Sequence, residues 1–86
     1  MTPEQCRAAR AWLNWSQSEL AKAASVGLST VKDYEGGKRT PIAATLGAMR
    51  AVLEDAGIAF PFSLGDDGVK RACGITYSPP DRGGAH

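Results

Sequence analysis

The stretch that decides the fold runs from Ser16 to Pro41, SQSELAKAASVGLSTVKDYEGGKRTP. Ser16 and Glu19 form a capping-box pattern, in which the serine hydroxyl accepts from the Glu19 amide and the Glu19 carboxylate accepts from the Ser16 amide. Leu20 and Ala23/Ala24 then fall on one helical face. Ser25-Val26-Gly27 interrupts the pattern. Leu28 to Glu35 resumes it, with Leu28, Val31 and Tyr34 at three-residue spacings, and Gly36-Gly37 stops it. Two helices joined by so short a turn do not lie antiparallel comfortably, so a steep crossing is expected.

Upstream, Thr2-Pro3 reads as a helix start, a capping hydroxyl followed by a proline that has no amide to leave unpaired. A first helix is predicted over Pro3 to Leu13, with Cys6, Ala9 and Leu13 and the neighbouring Ala8 and Trp12 forming its apolar stripe and Glu4, Arg7 and Arg10 outside it. Trp15 precedes the Ser16 cap, where it can pack onto Leu20 as a core anchor. Downstream, Thr40-Pro41 repeats the Thr-Pro start. Ile42 to Ala56 carries the longest helical pattern, through Ile42, Thr45/Leu46, Met49, Val52/Leu53 and Ala56, closed by Gly57. Gly47 inside that helix costs about 1 kcal/mol relative to alanine, which suggests close packing or a helix break there.

From Ile58 the period changes to two. Ile58, Phe60, Phe62 and Leu64 alternate with Ala59, Pro61 and Ser63, which predicts a strand. Gly65-Asp66-Asp67-Gly68 has turn chemistry, and Val69, Arg71, Cys73 and Ile75 alternate again, so the strand is expected to return as a hairpin. Pro61 offers no ladder donor and confines its strand to an edge or an irregular position. Such a hairpin is marginal alone, and its Phe60/Phe62 face is expected to pack on the helices or on another subunit. The organisation predicted is therefore a helical domain over residues 1–57, a hairpin extension over 58–77 and a disordered tail over 78–86.

The chain has 86 residues, enough for one small domain, and ten Lys/Arg against nine Asp/Glu give a formal charge of +1. That lacks the basic excess which sequence-independent phosphate binding favours. Cys6 and Cys73 are too few and too far apart for a disulfide framework or a self-contained metal site, and reduced thiols are expected. No cationic segment followed by an apolar run marks a signal peptide, and no apolar run approaches the roughly 20 residues needed to span a bilayer, so a cytoplasmic protein is expected. Asp66 and Asp67 read as a turn rather than a metal loop, and His86 ends the tail. No nucleophile, base and orienting group cluster, so neither an enzyme nor a cofactor is expected.

A steep pair of short helices is the geometry of a helix-turn-helix. Trp15-Ser16-Gln17, Leu20-Ala21, Ser29-Thr30-Val31-Lys32, Tyr34-Glu35, Gly37-Lys38-Arg39 and Pro41 closely resemble the Cro and phage-repressor helix-turn-helix family, often called the XRE family. The resemblance covers about Pro3 to Gly57, and the segment from Thr45 to Phe60 looks like the ending of small bacterial members that append a strand or hairpin. It implies a mainly α fold, a lambda-repressor-like bundle of four or five helices with a short hairpin, commonly dimeric, with the third helix in the DNA major groove. By position it implies that Gln17 meets the DNA backbone or a base edge, that Leu28, Ser29, Lys32 and Asp33 face bases, that Thr30 caps or touches a phosphate, and that Lys38 and Arg39 contact phosphates. Val31 and Tyr34 point to the core in the same scheme. Ser25 stands where the family turn commonly has glycine, and Gly27 where it has serine or threonine, which leaves the recognition helix a weaker cap.

Two function classes follow. One is a sequence-specific transcriptional regulator, by expectation a repressor, that binds operator DNA as a homodimer. The other is a protein-interaction module of the same fold, such as an antiactivator that binds a transcriptional regulator without binding DNA. The small charge excess, Leu28, Asp33 and the Phe60/Phe62 hairpin motivate the second, with Leu28, Phe60 and Phe62 as partner or dimer contacts.

Overall fold

The first helix forms because its first turn satisfies itself. Thr2 Oγ1 accepts from the Gln5 amide at 3.1 Å, Gln5 Oε1 accepts from the Thr2 amide at 2.9 Å, and Pro3 occupies the first helical position. The computed structural model describes residues 1–80, and there α1 spans Pro3–Leu13, followed by α2 (Gln17–Ala24), α3 (Leu28–Glu35) and α4 (Ala43–Asp55). Four short strands complete the described residues: β1 (Ile58–Ala59), β2 (Phe62–Leu64), β3 (Lys70–Ala72) and β4 (Thr76–Tyr77). This is a mainly α, four-helix bundle with an appended hairpin. Of the tail expected over 78–86, residues 81–86 lie outside the described residues.

The core takes Cys6 and Ala9 from α1, Leu20 and Ala21 from α2, Val31 and Tyr34 from α3, and Met49 and Leu53 from α4. Trp15, Leu13, Val26 and Leu46 pack around it. Ala8 and Ala23, expected on the apolar faces, are exposed, and two large side chains lie outside the core as well. Trp12 is 63% exposed, its ring tilted against Tyr77 at 5.8 Å between centroids. Ile42 is 74% exposed, because α4 begins one residue later than predicted with Ile42 as its N-cap. Thr40-Pro41 fails to start the helix as Thr2-Pro3 does: three residues after Thr2 stands Gln5, which returns the cap, whereas three after Thr40 stands Ala43, which has no acceptor. Gly47 neither breaks α4 nor packs closely, and a Cβ there would meet nothing within 4 Å.

The predicted strand over Ile58–Leu64 is interrupted at Phe60-Pro61. β1 pairs antiparallel with β4 (Ile58 opposite Tyr77), and β2 with β3 (Phe62 opposite Ala72). The register slips by one residue between the two ladders, so the returning side carries one extra residue. Gly74, at φ 79°, is placed to absorb it as a bulge. The carbonyls of Pro61 and Gly74 at this break accept from the buried Gln5 Nε2 at 3.2 and 2.9 Å. One side chain thus caps α1 and closes the break in the hairpin. Phe60 enters the core at 7% exposure while Phe62 lies on the surface, so the two phenylalanines do not share a face.

Candidate nucleic-acid interface

The helix pair is built from both ends. Ser16 and Glu19 form the expected reciprocal cap, at 3.0 Å (Glu19 amide to Ser16 Oγ) and 2.9 Å (Ser16 amide to Glu19 Oε1). Ser25 takes the left-handed conformation that ends α2, at φ 56°, and the Val26 amide closes the turn onto the Ala21 carbonyl at 2.9 Å. Gly27 caps α3 without a side-chain hydrogen bond. Val31 and Tyr34 point inward, which turns Leu28, Ser29 and Lys32 to solvent and leaves Thr30 and Asp33 half-buried.

Lys38 and Arg39 are exposed, and their position is set by backbone: both amides donate to the Asp33 carbonyl, at 2.8 and 3.3 Å. The loop therefore folds back onto the end of α3 and carries its two cations there. A cleft of about 350 Å³ between α3 and this loop brings Ser29, Thr30, Asp33 and Arg39 together with Thr40 and Thr45. Hydroxyls and a guanidinium there suit an anion, and the Asp33 carboxylate suits a hydrogen-bond donor.

Gln17 sits differently from the rest of the expected contacts. It is half-buried, and its Nε2 donates to Glu35 Oε1 at 3.1 Å, so part of its amide is engaged inside the protein. Phe60 and Phe62 belong to the hairpin, not to the α3 face that carries Leu28.

Beneath this face lies a charged cluster that the apolar pattern does not single out. The Glu35 side chain, 2% exposed, receives Arg10 Nε on Oε2 and Arg10 Nη2 on Oε1, each at 2.7 Å. The Cys6 thiol donates to Oε2 at 3.2 Å, and the Arg7 guanidinium reaches the Glu35 carbonyl. Burial alone would push the Glu35 carboxyl up, but the hydrogen bonds from Arg10, Gln17 and Cys6 outweigh it and hold the group below its ordinary value. The Cys6 thiol is pushed up to about 12 by burial and by its bond to Glu35. Arg10 reads from sequence as a residue outside the apolar stripe. Its partner stands on another helix, and no local spacing announces the pair.

Two short helices joined through Ser25-Val26-Gly27, with the inner face of the second buried and its outer face exposed beside two cations, define a helix-turn-helix domain. The family model described as Helix-turn-helix matches residues 7–54, more than half of the chain, and the chain belongs to that family, in its Cro and phage-repressor (XRE) type. The family is one of DNA-binding regulators rather than enzymes, and in this general sense the chain is a DNA-binding helix-turn-helix regulator. No curated protein matches it. Among the described residues no helix is long and apolar enough to cross a membrane.

Proposed function

We propose that the protein is a sequence-specific transcriptional repressor that binds operator DNA as a homodimer, α3 lying in the major groove and occlusion of a promoter being its mode of action. The observation that carries this reading is the free outer face of α3, with Leu28, Ser29 and Lys32 exposed, continued by Lys38 and Arg39 on a loop bound to the Asp33 carbonyl. Lys38, Arg39 and Gln17 hold phosphates, with Thr30 beside them. Leu28 meets a thymine methyl, and the Asp33 carboxylate accepts from a cytosine amine. The reading implies one structural domain over residues 1–57, with 58–77 extending it.

The test is binding of the purified chain to DNA from its own promoter region across a salt series. Each of Lys32→Ala, Lys38→Ala and Arg39→Ala should weaken binding, and the two loop substitutions should each lower the salt slope by about 1. Absence of binding at low salt refutes the reading.

A second reading, an interaction module that binds a transcriptional regulator without binding DNA, is supported by the 37% exposure of Leu28 on the same face and by the Asp33 carboxylate, which lines the cleft beside that face. Under it, Leu28→Asp abolishes recovery of the regulator in a pull-down, and the lysine substitutions leave recovery unchanged.

A further inference from the structure

We propose that the edge of β2 left unpaired among the described residues is where two copies of the chain join, β2 pairing antiparallel with β2 of the second copy about a twofold axis at Ser63. The proposal rests on the dimeric reading above and names its surface.

All six residues of β2 and β3 are exposed, Leu64 at 73%, and a two-stranded hairpin standing in water is marginal. The hydrogen-bond phase decides which backbone groups are free. The Cys73 amide donates to the Pro61 carbonyl at 2.9 Å and the Gly65 amide to the Val69 carbonyl at 3.1 Å. Opposed residues in an antiparallel ladder alternate between bonded and non-bonded pairs, so Ser63 and Arg71, between those two, face each other with their backbone groups. The amides and carbonyls of Phe62 and Leu64 therefore point outward from the edge of β2.

The two outer edges of the hairpin differ in charge. β3 carries Lys70 and Arg71, and a twofold pairing there would set like charges opposite each other, the ordinary device by which an edge is kept unpaired. β2 carries Phe62, Ser63 and Leu64, with no charge. Pairing about Ser63 matches Phe62 with Leu64 of the partner subunit, and Leu64 with Phe62 of the partner subunit. Each match exchanges two backbone hydrogen bonds, and the four apolar side chains share one face. The patch is self-complementary, as a twofold interface requires, and that makes a second copy its occupant.

Ser63 then faces Ser63 of the partner subunit as a non-bonded pair, with Cα atoms about 4.5 Å apart, within the range a disulfide bridges. The full chain carrying Ser63→Cys in a Cys73→Ser background should therefore form a covalent dimer under mild oxidation, read on a non-reducing gel. Arg71→Cys in the same background should not. Leu64→Pro removes an outward-pointing amide without touching the Ser63–Arg71 pair. It should weaken dimerisation in sedimentation at least about tenfold while the helical circular dichroism stays unchanged. A dimer that persists in Leu64→Pro, or that cross-links no better through Ser63→Cys than through Arg71→Cys, overturns the β2 edge and leaves the dimeric reading standing. A chain that sediments as a monomer at every concentration overturns both.

Discussion

Replacing Arg10 by methionine tests the cluster that fixes α3. The Glu35 carboxylate accepts four hydrogen bonds: two at 2.7 Å from Arg10, one at 3.1 Å from Gln17 and one at 3.2 Å from Cys6. Arg10→Met removes the two short, charge-assisted bonds and the countercharge, and also the 2.9 Å bond from Arg10 Nη1 to the Trp15 carbonyl. Breaking a buried pair from one side costs about 3–5 kcal/mol. Arg10 keeps 18% side-chain exposure, so some water reaches the site and the lower end, about 3 kcal/mol, is expected. A domain of this size has a total stability of about 4–13 kcal/mol, so the variant should melt roughly 12–24 °C lower.

The sign of the pH dependence is the sharper readout. In the native protein the Glu35 carboxyl is held below its ordinary value, so its contribution is present above the unfolded pKa of about 4.3 and is lost as pH falls through the folded one. Without Arg10, burial prevails and the carboxyl moves above its ordinary value; protonation then relieves the variant as pH falls from neutrality. Urea denaturation followed by circular dichroism should give a deficit that is largest near about pH 7 and shrinks toward about pH 4. Adding Glu35→Leu to Arg10→Met should recover most of the loss, because the orphaned charge is gone. A deficit below about 1 kcal/mol at neutral pH, or one that does not change with pH, would refute the reasoning.

Glycine substitutions should have opposite signs at two positions. Gly57→Ala, at φ 105° and with a Cβ directed into the Ser78 carbonyl, should cost about 2–4 kcal/mol in thermal unfolding, whereas Gly47→Ala, with open space around it, should stabilise by about 0.5–1 kcal/mol. Gln5→Ala leaves the Thr2 amide and the Gly74 carbonyl without their partner and takes one of two donors from the Pro61 carbonyl; about 2–4 kcal/mol should be lost, with hydrogen exchange rising more over the original chain at the Cys73 amide than at α4 amides. A thiol reagent at mildly alkaline pH should label the exposed Cys73 quickly and Cys6 only on unfolding, because the Cys6 thiol is buried and held protonated. Equal labelling of both in the folded chain would contradict the buried cluster.

What the sequence discloses follows from the range of the interactions involved. The caps at Thr2 and Ser16, the interruption at Ser25-Val26-Gly27 and the inward turn of Val31 and Tyr34 are consequences of neighbours three or four residues apart, and they are legible in the chain alone. The start of α4 is misread because Thr40-Pro41 copies the first half of a capping box without its second. Trp12 is misread because its stripe position is at the margin of the face that packs, and Tyr77, whose ring tilts against it, comes from the far end of the chain. The alternation from Ile58 to Leu64 gives the strand and Pro61 its irregular position, but the hydrogen bonds that hold the break come from Gln5, a polar residue in the first turn of α1. Of the site, the exposed residues of α3 are legible by subtraction from the buried ones. The Arg10–Glu35 pair, 25 residues apart, is not.

That pair also bears on how a near-neutral surface could read DNA. An apolar replacement of similar volume could match its stability, so stability alone does not account for a buried charge at the last residue of α3. The bidentate geometry supplies something an apolar contact lacks, a fixed rotation of the helix about its own axis. Oε1 and Oε2 each take one nitrogen of a planar guanidinium, and Arg10 is itself held by the Trp15 carbonyl. Gln17 joins the same carboxylate from the first residue of α2, so both members of the helix pair are oriented from one point. With a charge of +1 the chain has little long-range attraction for a duplex, so under the proposed function affinity would come from short contacts that hold only in the right orientation. On the proposed DNA-binding reading, the buried ion pair and the weakly charged face form one arrangement: the fewer the cations on α3, the more recognition would depend on the angle at which Glu35 is held.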